Sequence, residues 1–445
     1  MTSSDAPAHR LTLLALVIFG TWTPLVPAIE LKAAATLSAT LLLGASWYAR
    51  VRAGEALGRT PLDAPAVTFL AVASLATLVS GAPAAGVLSA SWHGDGLLMY
   101  LAYVVMGLAA ARLGRRDASR LVDALLGGGI IMGAVAVAQF YGLDIIGWSA
   151  RMGTLPVMPA GTLGNRMFLG GYLSLLLPLC AGLAVDEAEP RWWMYAVASA
   201  VMGAALVASQ TRAAWIGSVI AGVLLLRLLP VSPVAARRCA GFGAAAAAIA
   251  IIMMVTQPHA ALMHRAMSMF NPGDLSLRQH VLAWNQTLSL IGHAPVLGWG
   301  FSPPLDRLPG VASAAAVPVL VGRPVITDIT PNELLHVAFV SGVAGLAAYL
   351  WVWVTLVSRL QTSLRAAAAR PHLRTAVLAS LLAYFVWLQL VWSRLGPAHV
   401  FWVLAGVAIA VTRADDPDPR GDTAARGDTE SAVAARAAGA RTPDA

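Results

Sequence analysis

Mostly apolar runs, about as long as the 17–25 residues that a helix needs to cross a hydrocarbon core roughly 30 Å thick, recur along most of this sequence. Most of the arginines lie between them. Of 445 residues only 12% are charged, and the mean hydropathy is +0.71, whereas soluble domains carry about 25% charged residues. That leaves too little polar surface to coat a water-exposed globule, so lipid is the expected solvent. The expected architecture is all-α and integral to the membrane, with about twelve transmembrane helices. The spans fall at 11–28, 31–49, 64–82, 97–113, 120–142, 162–184, 192–209, 213–230, 239–256, 331–357, 374–393 and 396–412. The first run has no small-residue cleavage site, so it is expected to stay as a helix.

Arginine placement sets the orientation. Lys32, Arg151, Arg166, Arg212, Arg265, Arg278, Arg307, Arg323 and Arg394 fall on one side, and the other 21 of the 30 basic residues on the opposite side. The arginine-rich side is the cytoplasm. Residues 1–10 are then a cytoplasmic N-terminus, 11–256 hold helices 1–9, and 257–330 form a large periplasmic loop. Residues 331–412 hold helices 10–12, and 413–445, rich in Ala, Arg, Asp, Gly and Thr, form a disordered cytoplasmic tail. The net charge of +8 is dispersed between apolar runs, a pattern of topology control and not of nucleic-acid binding. Cys180 and Cys239 support neither a disulfide framework nor a Cys-based metal site.

A loop of this length inside a compact chain is more often functional than connective. Within it Leu277, Val281, Trp284, Leu288 and Ile291 recur at helical spacing, with Ser276 able to cap the start and Pro295 beyond the end. This predicts an amphipathic helix lying on the membrane surface or packed on the bundle.

Acids and histidines on the periplasmic side show no carboxylate pair or His cluster at metal-ligand spacing, and no nucleophile elbow, Walker loop or dinucleotide fingerprint occurs. No metal and no cofactor is expected. What remains is a surface with several arginines and few acids, suited to a polyanion, because the planar guanidinium binds phosphate bidentately. Arg212, in Ser209-Gln210-Thr211-Arg212 between two apolar runs, either receives such a ligand or snorkels at a tight turn. Arg278 is a ligand for the same anion or a solvated helix-face residue. Asn332, Glu333 and His336 open the tenth span, where His336 is a general base for a sugar hydroxyl or a buried, satisfied histidine.

The stretch Ser209-Gln210-Thr211-Arg212-Ala213-Ala214-Trp215 resembles a segment of the O-antigen ligase and O-antigen polymerase superfamily. So do Arg278 through Gly300, ending in Pro295-Val296-Leu297-Gly298-Trp299-Gly300, and Gly161-Thr162-Leu163-Gly164-Asn165-Arg166 with Leu169-Gly170-Gly171-Tyr172-Leu173. Asp328 through Trp351, with Gly342 and Gly345 after Asn332, is similar to the family's His-Asn motif. Pro331 stands where the family usually has His, and Met167 where Asn is common. His336 lies five residues on, about 140° round a helix from position 331, which leaves the base open.

The resemblance implies a metal-independent, inverting glycosyltransferase of the bacterial inner membrane, active at the periplasmic face. The donor would be a glycan on undecaprenyl diphosphate. The acceptor would be lipid A-core for a ligase, or another lipid-linked repeat for a polymerase. Arg212 and Arg278 would clamp the diphosphate, His336 would serve catalysis, and Asn165, Arg166, Asp328, Asn332 and Glu333 would contact substrate. A lipid-linked glycan transporter or a non-catalytic assembly partner is the rival reading. A transporter calls for charges along several mid-span positions, and the spans are nearly free of them.

Overall fold

The computed structural model describes residues 12–16, 29–88, 96–147, 157–186, 188–229, 232–256, 261–268, 271, 275–303, 308, 319–320, 323–324, 330–366 and 371–413. The described chain is all-α apart from one two-residue hairpin. Its helices are α1 Ile29–Arg52, α2 Asp63–Leu78, α3 Pro83–Leu88, α4 Leu97–Ala110, α5 Arg115–Phe140, α6 Arg166–Ala184 and α7 Trp192–Ala208. Then come α8 Arg212–Leu228, α9 Pro233–Thr256, α10 Ala261–Met267, α11 Leu275–His293, α12 Glu333–Arg365, α13 Pro371–Leu388 and α14 Pro397–Arg413. The hairpin pairs β1 Val319–Leu320 with β2 Arg323–Pro324 antiparallel, Val319 opposite Pro324.

Five of these helices, α5, α6, α9, α12 and α13, are long and apolar enough to cross a membrane, and α2, α4, α7 and α14 are shorter apolar helices. This is a multi-pass membrane protein. Its exterior is apolar as lipid requires: Leu41, Val219 and Val255 are 74%, 67% and 78% exposed. Only 6% of the apolar window of α9 is buried, so that helix is a peripheral one facing lipid.

The centre is α6, α13 and α14, each surrounded by other helices. Close approach there depends on small residues. A side chain at Gly171 would run into the Trp387 ring, one at Gly217 into the Ala383 carbonyl, and one at Gly182 into Ala376. Without hydrophobic drive between helices in lipid, such contacts supply the dispersion that holds them together.

The region expected as one span from 331 is helix α12, broken at Gly342, whose φ of 66° is left-handed. The break frees backbone groups inside the bundle, and the segment 295–300 takes them up. The amides of Trp299 and Gly300 donate to the carbonyls of Phe339 and Val340, both at 2.9 Å, and the Val343 amide donates to the Pro295 carbonyl at 2.8 Å. Backbone without helical partners is tolerated at this depth only when protein satisfies it. A Cβ at Gly342 would overlap the Val296 carbonyl, and one at Gly298 the Phe339 carbonyl. Two of the motifs that carried the family resemblance are thus the two halves of one backbone joint.

In α11 the buried face is Ala283, Thr287 and Leu290, while Leu277, Val281 and Leu288 are exposed. The stripe at Leu277, Val281 and Leu288 therefore faces away from the bundle. Ser276, expected at the cap, sits inside the first turn because the helix begins at Leu275. The Trp284 indole donates to the Pro331 carbonyl, and the Thr287 hydroxyl pairs with that of Thr330 at 2.7 Å.

Candidate functional site

Asn165 caps α6, its Oδ1 accepting the Met167 amide at 2.8 Å. This places Arg166 in the first helical turn. The link between α7 and α8 is three residues, Ser209, Gln210 and Thr211, and it turns sharply enough to put Gln210 at a φ of 52°. The Ser209 hydroxyl donates to the Leu206 carbonyl, and the Trp215 indole donates back to the same carbonyl at 2.8 Å. The Thr211 hydroxyl donates to the Arg166 carbonyl at 3.0 Å, and Gly170 leaves room for the Thr211 side chain. These bonds bring the starts of α6 and α8 together, and with them Arg166 and Arg212.

A third arginine joins them. Nη1 of Arg212 donates to the Ser268 carbonyl at 3.2 Å and to its hydroxyl at 3.1 Å, and that hydroxyl donates to the Arg265 carbonyl. Arg166, Arg212 and Arg265 line one cleft of about 240 Å³, with Asn271, Ser276, His280 and Leu390 among its other walls. Arg265 and Arg212 both repel the Arg166 guanidinium. No Asp or Glu lines the cleft among the described residues. The N-terminal turns of α6, α8 and α11 border it as well, and each adds the partial positive charge of a helix start.

The turn after α13 forms another wall, through Leu390 and Val391. It is fastened from three sides. The Asn332 amide donates to the Gln389 carbonyl at 3.0 Å, while its Oδ1 caps α12 at the Leu335 amide. Nε2 of His280 lies 3.0 Å from the Leu390 carbonyl, and Nδ1 lies 2.7 Å from the Ser276 carbonyl. Glu333, 1% exposed, accepts the Ser393 amide at 2.6 Å, and the Ser393 hydroxyl pairs with Tyr384. Beside it the Arg394 guanidinium stacks on Trp392 and Phe168.

The residues expected at the site divide accordingly. Arg166 and Arg212 share the cleft, and Asn165 fixes the turn that carries Arg166. Arg278 is exposed on α11, next to the wall residue Leu277 but not itself a wall. Asn332 and Glu333 hold the 389–393 turn from behind. His336 is 6% exposed within α12 and does not line the cleft. Asp328 lies outside the described residues. Arg265 and His280 complete the cleft without any local sequence signal, because their roles come from segments far along the chain. Among the described residues no three His, Cys, Asp or Glu side chains converge as a metal site would need.

The family model described as O-antigen ligase matches residues 197–350. Over these residues the chain is similar to the O-antigen ligase family. The matched region holds Arg212, Arg265, Arg278 and the Gly342 joint, whereas Arg166 lies before it. A search of curated proteins finds no match. The region similar to O-antigen ligase therefore supplies two of the three cleft arginines, and the central helix α6 adds the third.

Proposed function

We propose that the chain is an O-antigen ligase-type glycosyltransferase whose arginine cleft receives the diphosphate of an undecaprenyl diphosphate-linked glycan. One observation carries this reading: Arg166, Arg212 and Arg265, from three separate segments, meet at helix N-termini in a cleft that no described carboxylate lines. Concentrating like charge has a cost, and a phosphate-rich ligand reverses its sign. The placement of these groups at one end of the bundle fits chemistry at the periplasmic face.

In the proposed reaction an acceptor hydroxyl, on lipid A-core for a ligase, attacks the anomeric carbon from the side opposite the diphosphate. The carbon–oxygen bond to the diphosphate breaks with inversion, releasing undecaprenyl diphosphate and one proton. The leaving group gains negative charge as the bond breaks. Guanidinium groups already aimed at that position stabilise the transition state more than the ground state. The 389–393 turn, held by Asn332, Glu333 and His280, keeps its wall of the cleft in register.

The test is glycan transfer by the purified chain from lipid-linked donor to acceptor. Arg212→Ala, accumulating at wild-type level, is expected to lower transfer by roughly 10²–10³-fold, the loss typical of removing one charge-stabilising donor. Undiminished transfer would falsify the diphosphate reading. Deletion of the protein in cells separates the acceptors: loss of a ligase leaves polymerised donor unattached, and loss of a polymerase leaves single repeats.

A further inference from the structure

A second cavity, at the other end of the bundle, has no part in the chemistry proposed above. It is an apolar groove of about 760 Å³ between α6, α7, α8 and α9, with Arg237 and Arg238 at its mouth. Arg212 and Arg227 mark the two ends of α8, and the groove is lined by Ser218, Gly222 and Leu225 toward the Arg227 end. It thus opens to the leaflet opposite the arginine cleft.

We infer that this groove holds one acyl chain of an anionic phospholipid from that leaflet, with its phosphate on Arg237 and Arg238. Length, shape and charge all bear on the occupant. Along α9 the lining runs from Arg237 to Ile249, which is about 18 Å of helix. That is a little more than one leaflet of a core about 30 Å thick. Gly203, Gly222, Gly241 and Gly243 line it, and a Cβ added at any of them would meet nothing within 4 Å. The glycines are therefore not there for helix contact. They leave a channel open between helices, which lipid fills.

The mouth is built for a headgroup. Arg238 is fixed by Nη1, which donates to the Ala184 and Asp186 carbonyls at 3.3 and 2.9 Å, and by stacking over the Trp192 ring at 4.3 Å. Arg237 is exposed beside it, held by Nε to the Pro233 carbonyl at 3.1 Å. Two guanidiniums with N–H groups to spare, flanked by an interfacial tryptophan, favour a head of net negative charge over one whose phosphodiester is offset by its own choline cation.

Native mass spectrometry of the purified full chain, equilibrated with equal dioleoyl phosphatidylglycerol and dioleoyl phosphatidylcholine, tests this. The wild type is expected to retain phosphatidylglycerol at least fivefold over phosphatidylcholine. Gly203→Leu with Gly222→Leu fills the groove and should lower bound phosphatidylglycerol about tenfold. Gly44→Leu, which faces open space on α1, should leave it unchanged. Arg237→Ala with Arg238→Ala should bring the two lipids to parity while an acyl chain still binds. If the double glycine variant does not accumulate, Gly203→Leu alone carries the same expectation. Equal retention of both lipids by the wild type overturns the proposal, as does full retention in the filled-groove variants. A dimer peak abolished by the leucines would identify a second copy as the occupant, and preferential retention of added undecaprenyl phosphate a polyprenyl chain; either outcome rejects the phospholipid.

Discussion

Arg265 and Arg278 offer opposite cases of what a guanidinium can do near the same cleft. Arg265 lines it and is tied to Arg212 through Ser268, whereas Arg278 is exposed one residue beyond the wall. Arg265→Ala is expected to reduce glycan transfer by at least tenfold, and Arg278→Ala to reduce it less. Parallel transfer assays on both variants decide the matter, and a larger loss at Arg278 would move the anion site onto the outer face of α11. Glu333 acts at one remove. Its carboxylate receives the Ser393 amide inside the bundle, so Glu333→Ala leaves a buried donor unsatisfied at about 1–3 kcal/mol. The variant should lose thermal stability and transfer together, while Glu333→Gln, which keeps an acceptor oxygen, should recover most of both. If both variants matched wild type, Glu333 would not hold the wall. The amide–acid sequence at 332–333 was legible as a site, but its role as a fastening was not, because the Gln389 and Ser393 partners sit two membrane-length helices further along the chain.

Between elements, the joint of α12 with the 295–300 segment governs whether α11 and the cleft wall sit correctly. Gly342 has a left-handed φ of 66° and touches the Val296 backbone. The strained backbone alone costs a non-glycine residue about 1–3 kcal/mol, and the overlap with Val296 adds to it. Gly342→Ala is therefore expected to lower the thermal midpoint measurably and to cut accumulation in the membrane. Normal melting would show that the joint yields cheaply. The glycines at 298 and 342 were visible in the sequence as family spacing. That they face each other across a helix break was not visible, since the hydropathy of α12 continues through the break and periodicity registers only apolar character.

At the scale of the whole molecule, the ends of the bundle differ in how their charges are met. Ion pairs Arg50–Glu55, Arg112–Asp63 and Arg191–Asp123 lie at the end opposite the cleft, and Asp123 with Glu189 raises the already high proton affinity of Arg191. At the cleft end Arg166, Arg212 and Arg265 line one cleft, and none of its described walls is an Asp or Glu. On the proposed topology the paired end faces the cytoplasm. Arg265→Cys, in a chain with Cys180 and Cys239 replaced by Ala, is expected to react with an impermeant maleimide added to intact spheroplasts, and Arg237→Cys only after lysis. The reverse pattern would invert the topology and place the cleft on the wrong face for the proposed acceptor.

Solvent and secondary structure were decided by the sequence itself. A chain with 12% charged residues and repeated span-length apolar runs has no stable alternative to helices in lipid, because each unsatisfied backbone group there costs several kcal/mol. The sharp turn before Arg212 was equally local, written in Ser209, Thr211 and Trp215. Convergence was not. Whether Arg166, Arg212, Arg265 or Arg278 share a cleft depends on contacts such as Thr211 with Arg166 and Arg212 with Ser268. Those contacts exist only once glycine-mediated packing has set the helices at their distances, a long-range property that no stretch of sequence carries alone.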